Sequence, residues 1–176
     1  MRRSKMVQKT VEKTTKAQSG KYLTFKLGDE NYGLEIHKVI EIIGMQDVTP
    51  VPRTPDHLRG VINLRGIIHP VIDLNKKFDM GMTEQTELTC IIVVTVEREE
   101  EKEQMGIIVD AVSEVEDIKE EEIEDTPSLG TDINTDFIIG MAKTKDTVKM
   151  LLDLQKILSD QDFNVISKVK DKKESD

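Results

Sequence analysis

The sequence has few aromatic residues and a single cysteine. Among its 176 residues there is no Trp, only 3% are aromatic, and Cys90 is the one cysteine. A single cysteine excludes an intramolecular disulfide framework and is typical of proteins from a reducing compartment. Val, Ile and Leu must therefore supply most of the core. The length fits one domain, or two very small ones that share a core.

Long apolar segments are also missing. No run approaches the roughly 20 residues that a membrane-spanning helix needs. The N-terminal segment is basic, yet it has neither the apolar region nor the small-residue cleavage site of a secretion signal. We therefore expect a cytoplasmic protein with no direct membrane insertion.

Positive charge is scarce in the middle of the chain. The net charge is −9, and because residues 1–20 carry +5 and residues 164–176 carry +1, residues 21–163 carry −15. A body this acidic repels phosphate backbones, so we expect no nucleic-acid binding by the folded part. The composition of the ends predicts a disordered basic tail at 1–20 and a flexible charged tail at 164–176.

Recognisable catalytic and ligand-binding motifs are absent too. The three histidines, His37, His57 and His69, show no metal-ligand spacing with each other or with Cys90. The sequence has no phosphate-binding glycine loop, no dinucleotide fingerprint and no nucleophile elbow. Most carboxylates lie in solvated charged runs, where burial cannot tune them. We predict no catalytic residue, no metal and no cofactor, and hence no enzyme.

What the sequence does contain is strand patterns. The stretch "KYLTFKL" alternates apolar and polar residues, and with "YGLEI" after the turn "GDEN" it predicts a hairpin over residues 21–36. The β-branched run "TCIIVVTVE" and the later "MGIIVDAV" predict a second hairpin with a longer, acidic loop. These patterns indicate a mainly β fold.

The chain also repeats itself. Residues 60–78 align without a gap with residues 140–158, every pair being 80 positions apart. In both copies an apolar strand ends at an Asp, Asp73 or Asp153, which is suited to be the N-cap of a short helix. Two-residue turns are predicted at equivalent places, at 65–66 and 145–146.

One β-rich module is therefore used twice, over residues 21–78 and 88–158 within a folded region of 21–163. A copy of this size has a marginal core, so we expect the two copies either to pack together or to interlock. Paired small β-barrels are the natural arrangement, because closure removes exposed strand edges.

Three segments carry a family resemblance. "GDENYGLEIHKVIEII", "TPDHLRGVINLRGIIHPVIDL" and "MGIIVDAVSEV", in this order, resemble the CheW family of bacterial chemotaxis coupling proteins. The central element G-x-x-N-L-R-G-x-x-x-P-V-x-D-L is complete from Gly60 to Leu74. The resemblance covers about residues 21–160.

The resemblance implies two five-stranded SH3-like β-barrels packed together with a C-terminal helix. It implies a non-catalytic adaptor that links the cytoplasmic tips of chemoreceptors, the methyl-accepting chemotaxis proteins, to the regulatory domain of a histidine autokinase. Such an adaptor works in signalling arrays at the inner face of the membrane. By the family's motifs, the implied receptor-binding residues are Val39, Glu41, Gly60, Arg65 and Cys90. The motifs do not place the kinase contact.

Four other interpretations compete with this one. A coupling domain fused to a receiver is disfavoured because the chain ends in "KVKDKKESD", and the regulatory end of a histidine kinase would need segments for which 176 residues leave no room. A nucleic-acid-binding barrel conflicts with the acidic body and the few aromatics. A scaffold of a non-motility chemosensory pathway remains open.

Overall fold

The computed structural model describes residues 17–126 and 136–174. Eleven strands and three short or medium helices follow one another along these residues. The strands are β1 (Gly20–Leu27), β2 (Glu30–Glu35), β3 (Val39–Gly44), β4 (Leu58–Leu64), β5 (Ile67–Asp73), β6 (Cys90–Arg98), β7 (Glu101–Val109), β8 (Ala111–Ile118), β9 (Ile123–Glu124), β10 (Ile138–Thr144) and β11 (Thr147–Leu152). The helices are α1 (Leu74–Lys77), α2 (Leu154–Ile157) and α3 (Asp160–Glu174), and 3₁₀ turns cover Ile36–Lys38 and Glu120–Glu122.

The strands form two sheets that interlock the two copies. The six-stranded sheet has the order β8-β1-β2-β11-β10-β9, and the five-stranded sheet has the order β3-β6-β7-β5-β4. Each sheet therefore combines the first hairpin of one copy with the later strands of the other. Parallel pairs, β2 with β11 and β5 with β7, join the copies. The mainly β prediction is confirmed, and of the two arrangements expected for the copies the structure has the interlocked one.

Both predicted hairpins are present. β1 pairs with β2, and β6 pairs with β7, each antiparallel. The predicted long acidic loop of the second hairpin is wrong, because β6 and β7 extend into the charged run and leave only Glu99 and Glu100 as the turn, both with positive φ. The tip of this ribbon lies in water, where charged side chains can continue a strand without being buried.

The equivalent turns and N-caps also follow the sequence pattern. Positive φ angles at Arg65 and Gly66 let a two-residue turn join β4 to β5, and the turn between β10 and β11 has the same form. The side chain of Asp73 accepts a hydrogen bond from the amide of Lys76, and that of Asp153 accepts one from the amide of Gln155. Both aspartates are therefore the N-caps of α1 and α2, as predicted.

Three apolar clusters hold the molecule together. The largest lies between the sheets and draws on both copies, for example on Phe25, Ile92 and Leu152. A smaller cluster packs on the opposite face of the five-stranded sheet around Val71, and another packs against the six-stranded sheet around Leu151. Since the central cluster takes residues from both sheets, neither sheet has a complete core without the other.

The predicted tails need correction at both boundaries. Residues 17–20 are not disordered: the amide of Ala17 donates to the carbonyl of Ile139 at 2.9 Å, and Gly20 begins β1. Residues 164–174 are not a flexible tail but the continuation of α3. Ile166 is only 1% exposed and belongs to the central cluster, so burial of an apolar helix face outweighs the lysine-rich composition. The prediction for residues 1–16 lies outside the described residues.

Candidate docking surface

The turn between β4 and β5 fixes the direction of Arg65. The Asn63 side-chain oxygen accepts a hydrogen bond from the Gly66 amide at 2.8 Å, which closes the turn locally. Because Arg65 and Gly66 both have positive φ, the chain reverses over these two residues, and Leu64 pairs directly with Ile67. Asn63 and Gly66 thus shape the loop, and the Arg65 side chain is left to project from it.

Arg65 pairs with Glu41 on β3. Both guanidinium η-nitrogens reach the carboxylate, Nη2 donating to Oε1 and Nη1 to Oε2. The Arg65 side chain is 72% exposed, and hydrogen bonding to Glu41 together with its negative charge raises the pKa of the arginine. The two residues therefore present a fixed, solvent-accessible pair of opposite charges.

Val39 and Cys90 lie at opposite ends of the β3–β6 pairing, where Val39 pairs with Val94 and Cys90 with Gly44. Val39 begins β3, Cys90 begins β6, and both are partly buried against the central cluster. Burial raises the pKa of the Cys90 thiol, and a hydrogen bond involving the backbone of Val112 opposes that shift. Because Val112 belongs to β8, Cys90 lies where the two sheets meet.

Gly60 has a different position. It is buried in β4 at a φ of 143°, and a β-carbon there would lie 2.0 Å from the carbonyl oxygen of Thr49. The backbone groups of Thr49 and Val61 exchange two hydrogen bonds of 2.9 Å beside it. Gly60 therefore lets the loop before β4 lie against the sheet and offers no side chain to a surface partner.

The structure adds three exposed apolar residues that sequence reasoning missed. Ile40 and Ile42 on β3 are each 45% exposed, and Ile67, directly after the Arg65 turn, is 57% exposed. Ile42 pairs with Ile92, two residues from Cys90, so Ile42 and Cys90 lie on one face of the sheet. The β-branched content of "HKVIEII" is typical of a strand, but it does not show that the strand lies at a sheet edge.

The same ionic arrangement recurs in the second copy. Lys145, in the turn equivalent to that of Arg65, pairs with Glu114, the residue aligned with Glu41. Hydrogen bonding to Glu114 raises the pKa of Lys145. Val115 next to it is exposed, as Ile42 is next to Glu41. The internal repeat is thus visible in surface contacts as well as in the strands.

The described residues show no candidate metal cluster and no candidate membrane-spanning helix. Across residues 17–126 and 136–174, no group of three or more His, Cys, Asp or Glu is arranged to hold a metal ion. Within the same ranges, no helix is long and apolar enough to cross a membrane.

Comparison with known proteins decides the family. The sequence pattern of the CheW-like domain matches residues 21–162. The chain belongs to the CheW-like family. The members of this family are non-catalytic scaffold or adaptor proteins, so this CheW-like chain is not an enzyme.

Individual relatives cover most of this CheW-like protein. A chemotaxis protein CheW of Klebsiella aerogenes is 36% identical over 148 residues, which are 84% of this chain and 87% of that protein. The chemotaxis protein CheW of Bacillus subtilis is 32% identical over 139 residues, covering 78% and 86% respectively.

A solved structure supports the fold. The scaffolding protein TtCheW of Thermoanaerobacter tengcongensis is 39% identical and superposes with a TM-score of 0.70, over 82% of this chain and 96% of that one. The fold of two SH3-like β units, expected from the resemblance, is thereby confirmed, with a sixth strand, β9, of only two residues in one sheet.

Proposed function

We propose that this CheW-like protein is a chemotaxis adaptor that couples the cytoplasmic tips of chemoreceptors to the regulatory domain of a histidine autokinase. Family membership and the names of its relatives support the chemotaxis assignment. We propose a cytoplasmic location at the inner face of the membrane, where the receptor tips would hold the protein. The proposed partners are proteins only.

The observation that carries the receptor-binding proposal is the exposed ion pair of Arg65 and Glu41, with exposed isoleucines close by in the chain, Ile67 after the Arg65 turn and Ile40 and Ile42 on the edge strand β3. Apolar area next to a fixed charge pair suits a helical partner, since burial of the isoleucines supplies affinity while the charges set orientation. We therefore assign Arg65 and Glu41 to direct contact with the receptor.

The other three proposed residues, Val39, Cys90 and Gly60, have supporting roles at the docking surface. Val39 and Cys90 contribute partly buried surface at the two ends of the β3–β6 pairing, along which a helical partner would lie. Gly60 acts indirectly, because its lack of a side chain allows the loop at Thr49 to stay close to β4. Val39 and Cys90 are thus contact residues, whereas Gly60 is a positioning residue.

Charge reversal at Arg65 tests the proposal. We expect Arg65→Glu to weaken binding of a receptor cytoplasmic fragment roughly tenfold or more, because it places two carboxylates together and removes the cation. Binding is measured by calorimetry, and the thermal midpoint verifies folding.

The second copy offers a matched control. Lys145→Glu breaks the equivalent ion pair with Glu114 and changes the net charge by the same amount. The proposal expects this variant to bind the receptor fragment as the natural chain does. Equal losses for both variants would point to a general charge effect, and no loss for Arg65→Glu would remove the receptor site from this surface.

A further inference from the structure

The two copies differ in a pocket beside their short helices. α1 follows β5, α2 follows β11, and the two helices are equivalent at a spacing of 80 residues. Beside α1 the pocket is filled by the segment that follows the helix. Beside α2 a cavity of about 260 Å³ remains.

In the first copy Thr83 occupies the pocket. Its amide donates to Oδ2 of Asp73 at 3.0 Å, and its hydroxyl donates to Oδ1 of the same carboxylate at 2.6 Å. The side-chain amide of Asn75 donates to the Thr83 hydroxyl at 2.7 Å. All three residues are buried. The N-cap carboxylate of the helix thus holds both donors of one threonine from an extended segment.

The chain takes another path after α2. Instead of returning to the N-cap, it enters α3, which is fixed by Asp162: this buried carboxylate accepts hydrogen bonds from Lys77 at 2.8 Å and from the Ser159 amide at 2.9 Å. The segment that would be equivalent to residues 79–83 therefore lies in α3 and directly before it, and it does not fill the pocket. Among the described residues, none fills the pocket beside Asp153.

The empty pocket keeps the N-cap aspartate and the amide side chain of the filled one, although Arg59, which pairs with Asp73 at 3.0 Å, is replaced by Ile139 in the repeat. Asp153, like Asp73, is an N-cap aspartate, and Gln155 occupies the position of Asn75 in the repeat. The side-chain oxygen Oε1 of Gln155 accepts a hydrogen bond from the Lys38 ammonium at 3.2 Å. The Asp153 carboxylate accepts one from the backbone N–H of Gln155 at 3.0 Å. Both Asp153 and Gln155 line the cavity. Its volume is below the roughly 300 Å³ at which pockets for drug-sized ligands begin, so it suits one or two residues of a peptide.

We propose that this pocket is a docking site for an extended segment of a partner protein that presents a serine or threonine to Asp153. The hydroxyl and the backbone N–H of that residue donate to the carboxylate, as those of Thr83 do to Asp73. The segment supplies in trans what the chain supplies to itself in the first copy. Neither Arg65 nor Glu41 lines the cavity, so this proposal does not rest on the receptor assignment.

A peptide titration of the full chain tests the site. The probe is a synthetic peptide with the sequence of residues 79–89, DMGMTEQTELT, added to ¹⁵N-labelled protein. We expect saturable chemical-shift changes at Lys38, Thr95 and Gln155. A peptide with Val in place of Thr83 lacks the hydroxyl and is expected to bind roughly tenfold more weakly, as is natural peptide to an Asp153→Asn chain.

The variants separate docking from folding. Asparagine caps a helix about as well as aspartate, so Asp153→Asn is expected to stay folded. Lys156→Ala alters an exposed residue of the same helix and is expected to leave peptide affinity unchanged. If Asp153→Asn does not fold, Thr95→Leu, which narrows the cavity from β6, takes its place. The proposal is overturned if the pocket amides do not shift at millimolar peptide, or if the valine peptide binds equally well.

Discussion

Individual residues of this protein are explained by the backbone contacts around them as much as by their chemistry. Gly60 was expected at a docking surface, yet it is buried against the carbonyl of Thr49. Arg65 was expected in a turn, and its positive φ and exposed guanidinium agree with that expectation. The turn was predictable because its signal is local. The close approach at Gly60 was not, because it depends on a loop that begins more than ten residues earlier.

Replacement of Gly60 tests this contact. We expect Gly60→Ala to destabilise the fold by about 1–3 kcal/mol, because the new β-carbon would clash with Thr49 and the φ of 143° is strained for alanine. Urea unfolding measures the change. Gly44→Ala is the control, since nothing lies within 4 Å of a β-carbon there. Similar midpoints for the two variants would contradict the account of Gly60.

Asp162 gives a prediction about pH. Burial raises the pKa of this carboxyl, but hydrogen bonds from Lys77, Ser159 and His57 outweigh burial and lower it overall. A lowered pKa in the folded state stabilises the protein above the unfolded value of about 3.9, and this stabilisation is lost as the pH falls through the folded-state pKa. We expect Asp162→Asn to cost about 1–3 kcal/mol at pH 7.

The pH profile of that variant distinguishes the ionised group from its packing. The stability difference between Asp162→Asn and the natural chain is expected to shrink when urea midpoints are compared at pH 7 and at pH 3. His57 and Lys77 are the charged or titratable side chains that contact this carboxylate. A difference that is constant with pH would assign the role of Asp162 to shape alone.

At the scale of elements, hairpins and N-caps were predictable and α3 was only partly so. The hairpins follow from apolar alternation and turn residues, and each N-cap follows from an aspartate between a strand and a helix. The C-terminal helix was expected from the family resemblance, but residues 164–176, most of which it contains, were assigned to a flexible tail. Its four lysines within residues 164–176 suggested a solvated tail. The spacing of Phe163 and Ile166, three residues apart, was the signal of a buried helix face.

Burial of this face predicts a large effect from one small change. Ile166→Ala is expected to destabilise the protein by about 2–4 kcal/mol, because it leaves a cavity in the central cluster. Asn164→Ala, at an exposed position on the same helix, is expected to change stability by no more than about 0.5 kcal/mol. Thermal or urea unfolding compares the two. Equal effects would mean that α3 does not pack as described.

At the scale of the whole molecule, strand pairing is the feature that sequence patterns could not decide. The repeat suggested two modules, but a β-branched strand pairs equally well with several neighbours, and the pairing is set by contacts distant in sequence. The structure places β1 and β2 with strands of the second copy, and β6 and β7 with strands of the first. The units of sequence repetition are therefore not the units of folding.

Interlocking predicts that neither copy folds alone. Division into residues 17–86 and 87–174 breaks the four pairings that join the copies, those of β1 with β8, β2 with β11, β3 with β6 and β5 with β7. We expect each fragment to show no cooperative unfolding by circular dichroism, and an equimolar mixture to regain it. Cooperative unfolding of either fragment by itself would show that the repeats are independent domains.

The proposed coupling requires that one molecule binds receptor and kinase at the same time. The most direct measurement is a calorimetric titration with the regulatory domain of the chemotaxis histidine kinase, followed by titration of a receptor cytoplasmic fragment into the complex. The account predicts saturable one-to-one binding in the first step and undiminished receptor binding in the second. No binding of the kinase domain by a folded chain, or displacement of one partner by the other, would contradict it.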